Sequence, residues 1–204
     1  MTARAKSYHH GQLREAILAA ATEMLAKEGP NELSLREVAR RAGVSHGAPY
    51  HHFATKQDLL TALAVQGFVD LDATMAEAQG IAPATARDQL LAAGIGYVLF
   101  ALKHRAVFKL MFSREYAPAE GHRRSADPLS QSAYARLVSA LQQHRESLGQ
   151  PVDEIEILLD AASAWATVHG LATLFIDGQL EQVPVERVAF IRAVLQRPLT
   201  SQSP

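Results

Sequence analysis

Apolar residues recur every three or four positions along nearly the whole 204-residue chain, and no stretch alternates long enough to suggest a strand. Such spacing gathers them on one side of a helix, and that side has to be buried against another helix. Alanine and leucine dominate and β-branched runs are absent, which favours the same outcome. The fold class expected is all-α. Hydrophobic residues make up 48% of the chain and charged ones 20%, values of a packed globular protein rather than a disordered one. The length fits one small and one medium unit.

The first helix is expected over 12–27, with Leu13, Ile17, Ala20, Ala21, Met24 and Leu25 as its stripe and Gly29-Pro30 ending it. A short second helix begins at Ser34, whose hydroxyl can cap it while Glu37 reaches back. Leu35, Val38, Ala39 and Ala42 form its buried face. Gly43 is placed for a left-handed turn and Val44 for a contact inside it. Ser45 then caps a very short third helix reaching His52. Thr55, with Asp58, caps a fourth that turns Leu60, Leu63, Ala64, Phe68, Leu71 and Met75 inward. Further helices are expected over 85–103, 105–112, 128–148, 152–180 and 185–196, with a long loop over 113–127 and a disordered tail after Pro198.

Helix, tight glycine turn, helix is the arrangement that lays a second helix in the major groove of DNA while the first braces it. The segment from Ser34 to Phe53 fits that plan, and the stripe of the first helix can close the back of a three-helix unit. Over residues 12–64 the sequence resembles the TetR family of repressors. The resemblance is carried by Leu35-Arg36-Glu37-Val38-Ala39-Arg40-Arg41-Ala42-Gly43-Val44-Ser45, then Gly47, Tyr50-His51-His52-Phe53, and Lys56 with Asp58-Leu59-Leu60. It implies a helix-turn-helix DNA-binding domain over 1–55 and a helical ligand-binding and dimerisation domain over 56–204. It further implies a homodimeric transcriptional regulator, a repressor released from a palindromic operator by a small, largely hydrophobic ligand, working in the cytoplasm and without enzymatic activity.

DNA-contacting roles are expected for Ser34, Ser45, His46, Gly47, Tyr50, His51 and Lys56. Ser45 and Gly47 allow close approach to phosphate, Tyr50 can donate its hydroxyl to one, and His51 can touch phosphate or a base. Lys56 offers a second phosphate contact. Ser34, Ser45 and Thr55 can also be caps and nothing more, and His46 and His52 can be base contacts or solvated surface. Phe53 reads as core. Ala48 and Pro49 depart from the family pattern, and Pro49 lacks the amide that would close the first helical turn on Ser45, so a distorted or late start is expected there. Arg4 and Lys6 form a basic arm that can reach a minor groove or stay disordered.

Two half-sites one or more helical turns apart are bound tightly by a dimer, and the last two helices are the expected dimer surface, giving a four-helix interface between two chains. Between Ile155 and Leu180 apolar residues wrap most of the circumference, and Ala161, Ala162, Ala164, Ala166, Gly170 and Ala172 permit close packing. Val188, Ile191 and Leu195 line the last helix. Trp165 and His169 lie one turn apart within a Trp-x-x-x-His-Gly segment that resembles a signature of part of the family. They can line a ligand cavity with Tyr97, Phe100, Phe108, Met111 and Phe112, or belong to the core or the dimer interface.

Net charge is −1, but residues 1–60 hold 8 Lys and Arg against 6 Asp and Glu, or +2, while the remainder holds 12 against 15, or −3. Five histidines in the first segment can add charge beside phosphates. The absence of cysteine excludes disulfides, thiolate metal sites and cysteine nucleophiles. No His-Glu-x-x-His, nucleophile elbow or phosphate-binding glycine loop is present, so no metal, cofactor or catalytic role is expected. The uncharged stretch 161–176 is shorter than a bilayer span, and the basic start lacks the apolar stretch of a secretory signal, so neither membrane insertion nor export is expected.

Overall fold

The computed structural model describes residues 10–113, 128–182 and 184–200. Among these there is no strand. The elements are α1 (His10–Glu28), α2 (Leu35–Ala42), a 3₁₀ turn (Ala48–His51), α3 (Lys56–Gly80), α4 (Ala86–Lys103), α5 (Arg105–Met111), α6 (Pro128–Ser147), α7 (Glu154–Ile176) and α8 (Arg187–Thr200). The expected basic arm with Arg4 and Lys6 and most of the expected loop, residues 114–127, lie outside the described residues.

Residues 10–67 with 104–113 form one compact unit, and 68–103 with the described residues from 128 onward form another. In the first, α1 packs on α2, on the 3₁₀ turn and on α5. Ile17, Ala21, Met24 and Leu25 of α1 meet a core completed by Leu33, Val38, Phe53, Leu59 and Leu60, all buried. Burying each large aliphatic side chain here contributes about 1.5–3 kcal/mol, which is why tertiary contact holds helices as short as α2. At Gly67 a β-carbon would stand 2.7 Å from both Val107 Cγ1 and Met111 Sδ, so α3 and α5 cross without room for a side chain.

In the second unit α4 is central and touches α6, α7 and α8. Leu90, Ala140, Leu141, Ile157 and Ala161 form one cluster of its core. Arginine–carboxylate ion pairs tie the helices together. Arg136 of α6 bonds both carboxylate oxygens of Asp72, at 2.7 and 3.1 Å, and Gln79 at 3.1 Å. Arg145 bonds Asp160 of α7 at 2.7 Å and the carbonyl of Pro151 at 3.0 Å.

Several boundaries differ from those read in the sequence. α7 begins at Glu154 rather than 152, because the Asp153 carboxylate accepts from the amides of Ile155 and Glu156 and so stands at the cap position. α8 starts after Glu186, whose carboxylate accepts from the amides of Val188 and Ala189, and it continues through Pro198 to Thr200. Residues 201–204 lie outside the described residues.

By length and composition alone, α3 and α7 are apolar enough to cross a membrane, and α7 is longer than the uncharged stretch 161–176. Each carries charge along its length, however: Asp70 and Asp72 in α3, the second held by Arg136, and Asp160 in α7, held by Arg145. Carboxylates within a lipid-facing span are costly, and here they are tied into protein contacts instead.

Candidate nucleic-acid interface

α2 is a well-terminated helix. Ser34 has extended backbone angles, φ −137° and ψ 147°, and its hydroxyl accepts from the Glu37 amide at 3.2 Å. The reciprocal half of the expected capping box is not formed. The Glu37 carboxylate is taken by Arg40 and Arg41, and Arg41 also reaches Glu28 at the end of α1. These hydrogen bonds hold the Glu37 carboxyl down to about 2. They also neutralise two of the three arginines of α2, leaving Arg36 exposed and without an ion pair among the described residues.

Gly43 ends the helix with φ +68°, and the amides of Gly43 and Val44 bond back to Arg40 and Ala39. Beyond Val44 the chain winds more tightly than the expected helix. The Ala48 amide bonds the backbone carbonyl of Ser45 at 3.0 Å, the Tyr50 amide bonds that of Gly47 at 3.2 Å, and the amides of His52 and Phe53 both bond Pro49. Pro49 has no amide to give, so an α-helical start is unavailable and the segment forms a 3₁₀ turn. Gly47, not Ser45, occupies the cap position, and no side chain caps the turn. The expected capping role of Ser45 is therefore corrected: the amide its hydroxyl would take is already bonded to its own carbonyl.

The winding decides which side chains face out. Ala48, Pro49 and Phe53 are buried, while Ser45, His46, Gly47, Tyr50 and His51 are exposed. Tyr50 is 57% exposed, too much for a residue kept for packing. The Arg14 guanidinium lies 5.7 Å above the Phe53 ring, so α1 and the end of the turn are joined by a cation–π contact. No spacing rule connects positions 14 and 53, and nothing in the sequence singles out Arg14. Thr55 and Asp58 cap α3 reciprocally, at 2.9 and 3.1 Å, as expected. The Lys56 ammonium donates to the carbonyl of Asn31 at 2.9 Å, anchoring α3 to the connection before α2. Two of its three N–H donors remain for another acceptor.

The residues expected around a ligand fall in both units. Phe108, Met111 and Phe112 are in the first, where the rings of Phe108 and Phe112 stand 5.0 Å apart. Tyr97, Phe100, Trp165 and His169 are in the second. There Tyr97, nearly fully buried, lies 2.9 Å by its hydroxyl from His169 Nδ1, and Trp165 Nε1 donates to the same hydroxyl at 3.4 Å. An indole N–H can only donate, so the Tyr97 oxygen accepts there and its own proton is available to Nδ1. Burial pushes the Tyr97 phenol up and the His169 imidazole down, which keeps both neutral. Ile155, Leu158, Leu159 and Leu174 are exposed on α7, as are the small residues Ala162, Ala166 and Gly170.

Two family models match the chain: that of bacterial regulatory proteins of the tetR family over residues 17–63, and that of the tetracyclin repressor-like C-terminal domain over residues 90–197. A 52-residue segment is 42% identical to an HTH-type transcriptional repressor of Mycobacterium tuberculosis, covering 26% of this chain and 28% of that protein. The chain thus spans under a third of the curated relative in this match. A structure of a protein of unknown function from Rhodococcus sp. RHA1 is 35% identical, covers 96% of each chain and has a TM-score of 0.76. The fold is shared by the transcriptional regulator FadR of Bacillus subtilis, solved in complex with stearoyl-CoA, at 20% identity, TM-score 0.69, and 89% and 95% coverage.

Proposed function

The chain belongs to the TetR family of bacterial regulatory proteins, and from that membership we propose that it is a homodimeric repressor, held on a palindromic operator and released by a small, largely hydrophobic ligand. Members of this family are DNA-binding regulators of transcription and not enzymes. Residues 1–55 read DNA, and residues 56–204 carry dimerisation and ligand binding, in the cytoplasm.

The observation that carries the reading is the 3₁₀ turn. Buried Ala48, Pro49 and Phe53 fix a short segment from which Ser45, His46, Gly47, Tyr50 and His51 all face solvent. Tyr50 and Ser45 hydroxyls and the spare donors of Lys56 suit phosphate oxygens, and Gly47 lets the backbone come close. Ser34 caps α2 through its hydroxyl oxygen, and its hydroxyl proton remains for a phosphate.

Dimerisation is supported by the exposed apolar face of α7. Ile155, Leu158, Leu159 and Leu174 with small Ala162, Ala166 and Gly170 suit helix against helix packing with α8 in a second copy. An apolar effector is supported by Tyr97, Phe100, Trp165 and His169, where a hydrogen-bonded cluster of neutral groups runs from buried Tyr97 to half-exposed Trp165. The stearoyl-CoA complex of the Bacillus subtilis protein is a precedent for such a ligand in this fold. The effector acts by favouring a domain geometry that fits the operator badly, and only to the extent that it prefers that geometry.

The test is a titration of the purified protein against duplex DNA flanking its own coding region, at several salt concentrations. Salt-sensitive binding is expected, with affinity falling about tenfold, ~1.4 kcal/mol, in Tyr50→Ala at unchanged thermal stability. Absence of attraction to any duplex, or full affinity in both Tyr50→Ala and Lys56→Ala, would overturn the reading.

A further inference from the structure

Resting on the DNA-binding reading, we propose that His46 and His51 make operator binding proton-linked: the complex takes up protons on these two imidazoles, and its affinity rises as the pH falls. With Ala48 and Pro49 turned into the core and Gly47 lacking a side chain, the outward side chains of segment 45–51 are Ser45, His46, Tyr50 and His51. Two of these four are imidazoles, the side chain that changes charge between about pH 5 and 8.

The charged groups on the surrounding elements leave those imidazoles without a protein counter-charge. On α2, Glu37 is bound by Arg40 and Arg41, and Glu28 at the end of α1 is bound by Arg41. On α3, Asp58 is engaged in the cap with Thr55, and Lys56 donates to the Asn31 carbonyl. On α1, Arg14 lies over Phe53. Neither the His46 nor the His51 side chain makes a hydrogen bond or an ion pair among the described residues, and neither Glu15 nor Glu32 pairs with them. The fixed charge of residues 1–60 is only +2, so two further protons change the charge presented to a duplex substantially.

A duplex supplies what the protein does not. Its phosphates create a negative potential that stabilises the imidazolium over the neutral ring. A protonated imidazole donates from both nitrogens, so one N–H can meet a phosphate oxygen while the other meets N7 or O6 of guanine in the major groove. Phosphate oxygens and guanine edges share this chemistry, and they differ in whether the gain depends on sequence.

The experiment measures the association constant from about pH 8 to about pH 6 at constant ionic strength, for the intact protein and for His46→Gln/His51→Gln, on a duplex flanking the coding region and on a scrambled duplex. Each proton taken up raises affinity by at most about tenfold per pH unit, so a rise on the order of tenfold or more over the range is expected, most of it missing in the double variant. A rise on both duplexes assigns the protons to phosphate contacts, and a rise confined to the flanking duplex assigns them to base edges. Flat affinity in the intact protein, or an equal rise in the double variant, would overturn the proposal while leaving DNA binding in place. No binding at any pH would instead remove the DNA-binding reading and this proposal with it. Both residues are exposed, and unchanged thermal unfolding of the variant confirms that the comparison is between folded proteins.

Discussion

Gly96 sits where α4 meets the second half of α3, and replacing it by alanine has a cost that can be worked out from the contacts. A β-carbon there would lie 3.0 Å from Met75 Cα, 3.1 Å from Ala78 Cβ and 3.1 Å from the Thr74 carbonyl oxygen. Two of these atoms are backbone and the third is a β-carbon, so none can swing aside, and the helices must separate by tenths of an ångström. Overpacking of this kind costs about 1–3 kcal/mol. Alanine returns about 1 kcal/mol of helix propensity over glycine, so the net destabilisation of Gly96→Ala is expected at about 0–2 kcal/mol. Gly94, two residues earlier in the same helix, provides the control. A β-carbon there meets Leu195 Cδ1 at 2.9 Å and Val168 Cγ1 at 3.4 Å, and the first is the tip of a flexible side chain. Gly94→Ala gains the same propensity and is expected to be neutral or up to about 1 kcal/mol more stable. The assay is urea unfolding followed by far-UV circular dichroism at one protein concentration, since the stability of any self-associating chain depends on concentration. A Gly96→Ala protein as stable as Gly94→Ala would refute the reasoning, because propensity alone would then account for both.

Tyr97→Phe removes the oxygen shared by His169 Nδ1 and Trp165 Nε1 and is expected to cost about 0.5–1.5 kcal/mol in urea unfolding. Trp165 is the single tryptophan of the chain, so its emission should shift in the same variant, and an unchanged spectrum would deny the contact. His144 is buried, with Nδ1 lacking a hydrogen-bond partner, and burial together with Arg87 pushes its imidazole down while Asp160 opposes. The unfolded chain therefore binds a proton that the folded one refuses, so stability is complete above the ordinary imidazole range of about 6.5 and is lost as the pH falls below it, by at most about 1.4 kcal/mol per pH unit. His144→Leu should flatten that slope, leaving the share of His169, and an unchanged slope would exclude His144 as its source.

The helical class was legible because it rests on spacing. A period of three to four in apolar residues leaves one way to bury them, and Ser34, Gly43 and Thr55 mark helix ends by chemistry confined to a few neighbouring residues. The trouble Pro49 makes for a helix was legible for the same reason, whereas Ser45, His46, Gly47, Tyr50 and His51 were singled out by the family resemblance, and the structure adds that all five are exposed. What was misjudged was also local, but competitive. Ser45 lost its cap to its own carbonyl, and Glu37 was drawn from the Ser34 amide by two arginines whose choice depends on where α1 ends.

Contacts between residues distant in sequence had no such signal. Arg14 over Phe53, Lys56 on the Asn31 carbonyl, Arg136 on Asp72 and Tyr97 on His169 join positions whose separation carries no period. The order of residues alone determined that this chain would be helical, with a short element disturbed by Pro49 after the glycine turn, because helix periodicity and backbone chemistry act over a few residues. Only the packed molecule decided which arginines are neutralised, which histidines face outward unpaired and which aromatic residues share a unit, because burial and charge pairing depend on what the rest of the chain brings alongside.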